Sequence, residues 1–143
     1  MGTYSSFKLS DDSARMLLNW CKSVGINNLI DSSEYHVTTM FSRENVEGYT
    51  PYYDLDGNST IDLDPKLYSI GTLRGKDQPT TALVLFCPNS LLYSQWSLAR
   101  SLGATWDYED YNPHITLSYD VDLDLASSLI MKNVTPTFSI RLS

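Results

Sequence analysis

Basic residues are scarce in this chain: ten Lys and Arg stand against seventeen Asp and Glu, for a formal net charge of −7. The acidic residues crowd 44–64, 107–110 and 120–124, while the basic ones are scattered singly. Proteins that track long DNA or RNA neutralise many phosphates with clustered cations, so that class is excluded. A small anionic ligand held by one or two cations is not. Long apolar runs are also missing, and none approaches the roughly 20 residues needed to span a bilayer. Residues 1–30 hold no basic start followed by an apolar stretch, so a soluble, cytoplasmic protein is expected, and the glycosylation-like triplets at Asn58 and Asn133 carry no weight. Cysteine occurs only at Cys21 and Cys87, far apart and within apolar segments, which excludes a disulfide framework and predicts buried, reduced thiols. Low-complexity tracts and solenoid repeats are absent, and 143 residues suffice to bury a core without staples, so a single domain over 1–143 is expected.

What is present reads as alternating strands and helices. Residues 4–9 suit an opening strand. Ser10 ahead of Ala14, Leu17, Leu18, Cys21 and Val24 predicts a capped helix that stops near Gly25. Residues 35–42 are β-rich, with Val37, Met40 and Phe41 as apolar members. Residues 43–65 carry few core candidates and predict a long loop or a β-excursion turning at Asp56-Gly57-Asn58. Residues 67–74 and 80–87 predict a hairpin across 75–79, and Asn89 or Ser90 predicts a cap for a helix with the stripe Leu92, Trp96, Ala99 and Leu102, ended by Gly103. A strand over 114–119, a helix over 123–132 and a strand over 137–142, with Phe138, Ile140 and Leu142 on one face, complete the chain. This order predicts an α+β domain with helices packed on a mainly antiparallel sheet.

Only two histidines occur, and each opens the same tripeptide pattern: His36-Val37-Thr38 and His114-Ile115-Thr116. On a strand, alternate side chains share a face, so each His and Thr point one way while the β-branched residue points the other. One neutral imidazole can take a proton from a nucleophile while a second, protonated, gives one to a leaving oxygen. A threonine about 6 to 7 Å along the strand can donate its hydroxyl to a phosphoryl oxygen. A lone His-x-Thr is commonplace in β-rich sequence; two that use every histidine point to in-line displacement at phosphorus without a metal.

Through these paired motifs the chain resembles the two-histidine phosphoesterase superfamily, which includes RNA 2′,3′-cyclic phosphodiesterases. The resemblance covers most of the chain. It implies two pseudo-symmetric lobes of mainly antiparallel sheet with helices outside, facing their motifs across a cleft, and it carries over His36, Thr38, His114 and Thr116 as catalytic. The contexts Glu34-Tyr35-His36-Val37-Thr38 and Asn112-Pro113-His114-Ile115-Thr116-Leu117-Ser118-Tyr119, the small size and the acidity look most like the phage anti-CBASS protein 1 enzymes. That implies cyclic di- or trinucleotide immune signals as substrates, with no cofactor. A 2′,3′-cyclic phosphodiesterase acting on RNA ends and a non-catalytic sponge for cyclic nucleotides remain as alternatives.

Other residues have both a functional role and a plainer one open to them. Tyr4, Trp106, Tyr108 and Tyr111 offer flat rings on which a base can stack, or they pack over the core. Lys8, Arg43, Arg74 and Lys76 can balance phosphate charge or merely be solvated, and Arg74 is placed among the substrate-binding candidates. Glu34 shares a strand face with His36 and can orient it or face water. The stretch from Asp54 to Asp62 starts like a calcium loop, but Ser59 replaces the turn glycine and Pro65 the closing glutamate, so a solvated turn is expected. Two histidines and two distant cysteines lack the close spacing of a zinc site, and no metal is expected.

Overall fold

The computed structural model describes residues 2–45, 60–74, 78–106 and 110–143. Among the described residues, three α-helices pack with short antiparallel strands in an α+β arrangement, as the element order predicts. Strand β1 (Thr3–Lys8) pairs antiparallel with β2 (His36–Ser42), and a bridge from Leu9 to Leu142 continues the pairing into β7 (Arg141–Leu142) and then β3 (Ile61–Asp62). A second sheet runs in the order β4 (Ser69–Leu73), β5 (Ala82–Phe86), β6 (His114–Ser118), extended by a bridge from Ser118 to Leu29. Strands β2 and β6, which carry the two motifs, lie against each other.

Helix α1 (Asp11–Ser23) forms where it is predicted because the Ser10 hydroxyl accepts from the Ser13 amide, and Asp11 and Asp12 complement the positive helix start. Its buried stripe is Ala14, Leu17 and Cys21, and the chain leaves it through Gly25 at φ +82°. Asn89 caps α2 (Ser90–Ser101) with bonds of 2.8 and 3.1 Å from the amides of Leu91 and Leu92, and Asp122 caps α3 (Leu123–Met131). The core between helices and sheets is filled by Leu17, Val37, Leu83, Leu85, Leu92, Ile115, Leu117, Ile140 and Leu142, all essentially inaccessible to water. Both cysteines are free and buried, and burial pushes the Cys21 thiol up to about 11 and the Cys87 thiol up to about 12.

Several element boundaries differ from expectation for identifiable reasons. The strand expected from residue 67 begins only at Ser69, because Asp64 caps a single 3₁₀ turn over Pro65–Leu67. The strand expected over 137–142 shrinks to Arg141–Leu142: the Ile140 amide donates to the Tyr68 hydroxyl at 2.9 Å, and the Ser139 hydroxyl bonds the Leu63 carbonyl. Side chains there replace a ladder that hydrophobic alternation alone would suggest. Within the expected loop, Ile61–Asp62 is a strand closing on β7. Most of the calcium-like stretch and the hairpin turn with Lys76 lie outside the described residues, although β4 and β5 do pair antiparallel. Phe41, expected as an apolar strand member, is exposed and meets Tyr4 edge-on. No described helix is long and apolar enough to cross a membrane.

Candidate functional site

The two His-x-Thr tripeptides open β2 and β6, and each shows the same run of burial. The His and Thr are half-buried, while Val37 and Ile115 between them are buried, as strand alternation demands. Each strand then breaks its register directly after the motif threonine. Ser6 faces Thr38 but Ser5 faces Met40, leaving Thr39 extra; Val84 faces Thr116 but Leu83 faces Ser118, leaving Leu117 extra. These are β-bulges, which re-aim the chain and recur beside functional sites. After each bulge two successive residues are buried, so the half-buried face of each strand ends at its threonine. The Thr39 hydroxyl helps hold the first bulge by donating to the Ser5 carbonyl at 3.1 Å.

The imidazoles are held by one and the same bond. His36 Nδ1 is 2.8 Å from the Glu34 carbonyl oxygen, and His114 Nδ1 is 2.9 Å from the Asn112 carbonyl oxygen, two residues upstream in both cases. A carbonyl can only accept, so each Nδ1 carries the proton and each Nε2 is left to gain or lose one. The local sequence sets up both acceptors. Before His36, Asp31 caps a 3₁₀ turn over Ser32–Glu34, its carboxyl held below the usual range by the Ser33 amide and hydroxyl, and the buried Tyr35 points its hydroxyl at Cys21. Before His114, the Pro113 carbonyl takes the Cys87 amide at 2.9 Å. Burial pushes the His114 imidazole below its ordinary pKa, the charge of His36 acts in the same direction, and the Asn112 carbonyl opposes both.

A groove of about 480 Å³ opens beside His36, within the size range of small-ligand sites. Its walls are Tyr4, Ser6 and Lys8 of β1, Ser33 and Glu34 of the preceding turn, and Tyr119 beyond β6. Of the substrate-binding candidates, Tyr4 and Glu34 are brought to His36 here, and the Tyr4 hydroxyl lies 3.3 Å from Thr38 Oγ1. Tyr111 belongs to the plainer alternative: it is only 3% exposed, stacked on Trp96 at 5.6 Å, with Tyr93 and Trp106 edge-on. No face is left for a base. Its hydroxyl instead donates to the Thr38 carbonyl at 2.7 Å, tying the approach to β6 to the β2 motif. Trp106 is half-buried against Trp96 and bonds the Asp110 carbonyl through Nε1. Tyr108 lies outside the described residues.

Arg74 is not brought to the motifs. It follows Leu73 at the far end of β4, whereas His114 is level with Phe86 and Ser69, roughly 16 Å back along the strands at the usual rise. Its Nε donates instead to the Gln78 carbonyl. Ser6, Ser33 and Tyr119 were not singled out from sequence; Ser6 is visible only through the pairing of β1 with β2, Ser33 through the turn that leads into His36, and Tyr119 through the packing of β2 against β6.

Fold and site together define a class: an α+β protein that sets two His-x-Thr strands against each other with identical imidazole anchoring. A family model described as Acb1, anti-CBASS protein Acb1, matches residues 1–142, and the chain belongs to that family. It is similar to the anti-CBASS protein Acb1 of Enterobacteria phage T4, at 35% identity over 121 residues, covering 84% of this chain and 73% of the relative. The Acb1 proteins of Salmonella phage S16 (33% over 120 residues, 84% and 73% covered) and Vibrio phage KVP40 (32% over 119 residues, 83% and 73% covered) are similar to the same degree.

Proposed function

We propose that this chain is a metal-independent phosphodiesterase of the two-histidine type that cleaves cyclic di- or trinucleotide signals. Acting in the host cell cytoplasm, it would counter CBASS defence, the role named for its phage relatives. The observation that carries the reading is the doubled anchor: two imidazoles, each with Nδ1 bonded to a carbonyl two residues upstream, each followed by a half-buried threonine and a bulge. A binding sponge needs donors and rings; it does not need two proton carriers with matched tautomers. The equivalence also supports a two-lobed ancestry in which β1–β2 and β5–β6 are counterparts.

In this reading one phosphodiester lies between His36 and His114, with its non-bridging oxygens bonded by the Thr38 and Thr116 hydroxyls. The Nε2 of one histidine takes the proton of the adjacent ribose 2′-hydroxyl, whose oxygen attacks phosphorus. The P–O5′ bond breaks, and the other histidine gives its Nε2 proton to the departing oxygen. A 2′,3′-cyclic phosphate forms, and water opens it with the roles exchanged. Threonine donors stabilise the charge that develops on phosphoryl oxygens. Tyr4, within reach of the Thr38 hydroxyl, orients that donor. The test is incubation with a panel of cyclic dinucleotides, cyclic trinucleotides and 2′,3′-cyclic mononucleotides in excess EDTA, with products resolved by chromatography. Linear products from the cyclic oligonucleotides are expected; tight binding without any product would make the chain a sponge.

A further inference from the structure

The two motif histidines share their anchors but not their neighbours. Across the ladder from His36 stands Lys8, and across from Thr38 stands Ser6. Across from His114 stands Phe86, with its ring edge-on to the imidazole at 6.1 Å, and across from Thr116 stands Val84. Directly opposed residues of antiparallel strands share a face. A cation and a hydroxyl therefore extend the polar strip on the β1 side, while an aromatic and an aliphatic side chain end it on the β5 side. The groove opens on the β1 side.

Lys8 is exposed in this groove and forms no ion pair among the described residues, although Glu34 lines the same walls. In a chain of net charge −7, an unpaired ammonium held one strand over from a motif imidazole is a local positive point in an otherwise repulsive field for anions. Ser6 adds a hydroxyl donor beside it, and Glu34 adds an acceptor suited to an amino group. Tyr4 and Tyr119, 53% and 57% exposed, flank the opening with ring surface.

We propose that this groove seats the second phosphate of a cyclic oligonucleotide, with Lys8 bonding the phosphodiester that is not being cleaved while its neighbour lies between His36 and His114. The inference rests on the phosphodiesterase reading above and adds a specificity determinant to it. Among the described residues, the side chains facing the motif on the β5 side, Phe86 and Val84, offer a phosphate no hydrogen bond, so the ring binds in one sense and molecules with two phosphodiesters are distinguished from those with one.

The test compares steady-state kinetics on a cyclic dinucleotide with inhibition by the linear dinucleoside monophosphate of the same bases, which lacks the second phosphate. Lys8→Met keeps the aliphatic stem and removes the charge. It is expected to raise KM for the cyclic substrate about tenfold, as loss of one charge-assisted contact does, with kcat held within about twofold. The inhibition constant of the monophosphate should shift by less than about twofold, and Lys8→Arg should restore most of the lost KM. The rise of KM with added salt should also be shallower in Lys8→Met. Equal KM for native and Lys8→Met protein, or equal weakening of the cyclic and linear molecules, would overturn the assignment while leaving the phosphodiesterase reading intact. No turnover of any cyclic oligonucleotide by the native protein would instead remove the reading on which it rests.

Discussion

A histidine is useful as an acid or base only when one nitrogen is fixed and the other is free, and the carbonyls of Glu34 and Asn112 do this for His36 and His114. Replacing either with alanine is expected to lower turnover by about 10² to 10⁴ while substrate affinity changes far less; single-turnover rates and equilibrium binding on each variant check this. The burial of His114 has a second consequence. Its folded pKa is depressed, so the unfolded chain binds more protons at this position in mildly acidic solution, and stability rises with pH there. The contribution is fully present above the ordinary histidine value of about 6.5 and is lost as pH falls through the lowered value. Urea midpoints measured across that window should decline toward acid in the native protein and decline less in His114→Gln. The His-x-Thr pairs themselves are legible residue by residue; the identity of the Nδ1 acceptors is not, because it depends on the backbone angles of a turn and of a proline-preceded loop.

At the scale of elements, the positions of the motif threonines follow from two bulges and one cross-brace. Tyr111 donates to the Thr38 carbonyl from within a cluster with Trp96, Tyr93 and Trp106, which ties the segment leading into β6 to the strand β2. Tyr111→Phe retains the ring packing and deletes only the hydroxyl. We expect it to stay folded, with a stability loss of about 1 to 2 kcal/mol, and to lower kcat with little change in KM, because the scissile phosphate loses its alignment more than the substrate loses contacts. Circular dichroism melting with paired kcat and KM measurements checks both halves of the statement, and a pure stability loss with native kcat would reduce Tyr111 to scaffold. From sequence, Tyr111 was a base-stacking candidate because it stands in a polar, aromatic loop. Composition cannot tell that the loop folds back onto α2, where Trp96 takes one of its faces.

For the whole molecule, the acidic surface and the doubled motif favour a small anion that brings its own nucleophile. A cyclic dinucleotide with both 2′-hydroxyls replaced by hydrogen should bind but resist cleavage, because the intramolecular hydroxyl supplies a large effective concentration that water does not match. Its inhibition constant and its persistence during overnight incubation are the measurements. Cleavage at a rate comparable to the ribose form would mean direct attack by water, with His36 and His114 keeping their proton-transfer roles. Activity should survive exhaustive chelation for the same reason, since the proposed mechanism draws acid and base from the two histidines and the nucleophile from the substrate.

Hydrophobic periodicity and capping residues determined by themselves the three described α-helices and the strands β1, β2, β4, β5 and β6, and the repeated tripeptide singled out His36, Thr38, His114 and Thr116. Each of these follows from a local rule, whether alternation along a strand, a capping side chain or a stripe on a helix. Tertiary structure decided the rest. It set Lys8 beside His36 and Phe86 beside His114, buried Tyr111, placed Arg74 beyond the end of β4 remote from His114, and brought Tyr119 to the groove. Those outcomes depend on which strands pair and in what register, and register is a property of two segments remote in sequence. A one-residue slip would exchange every face, and no reading of either strand alone contains the information that prevents it.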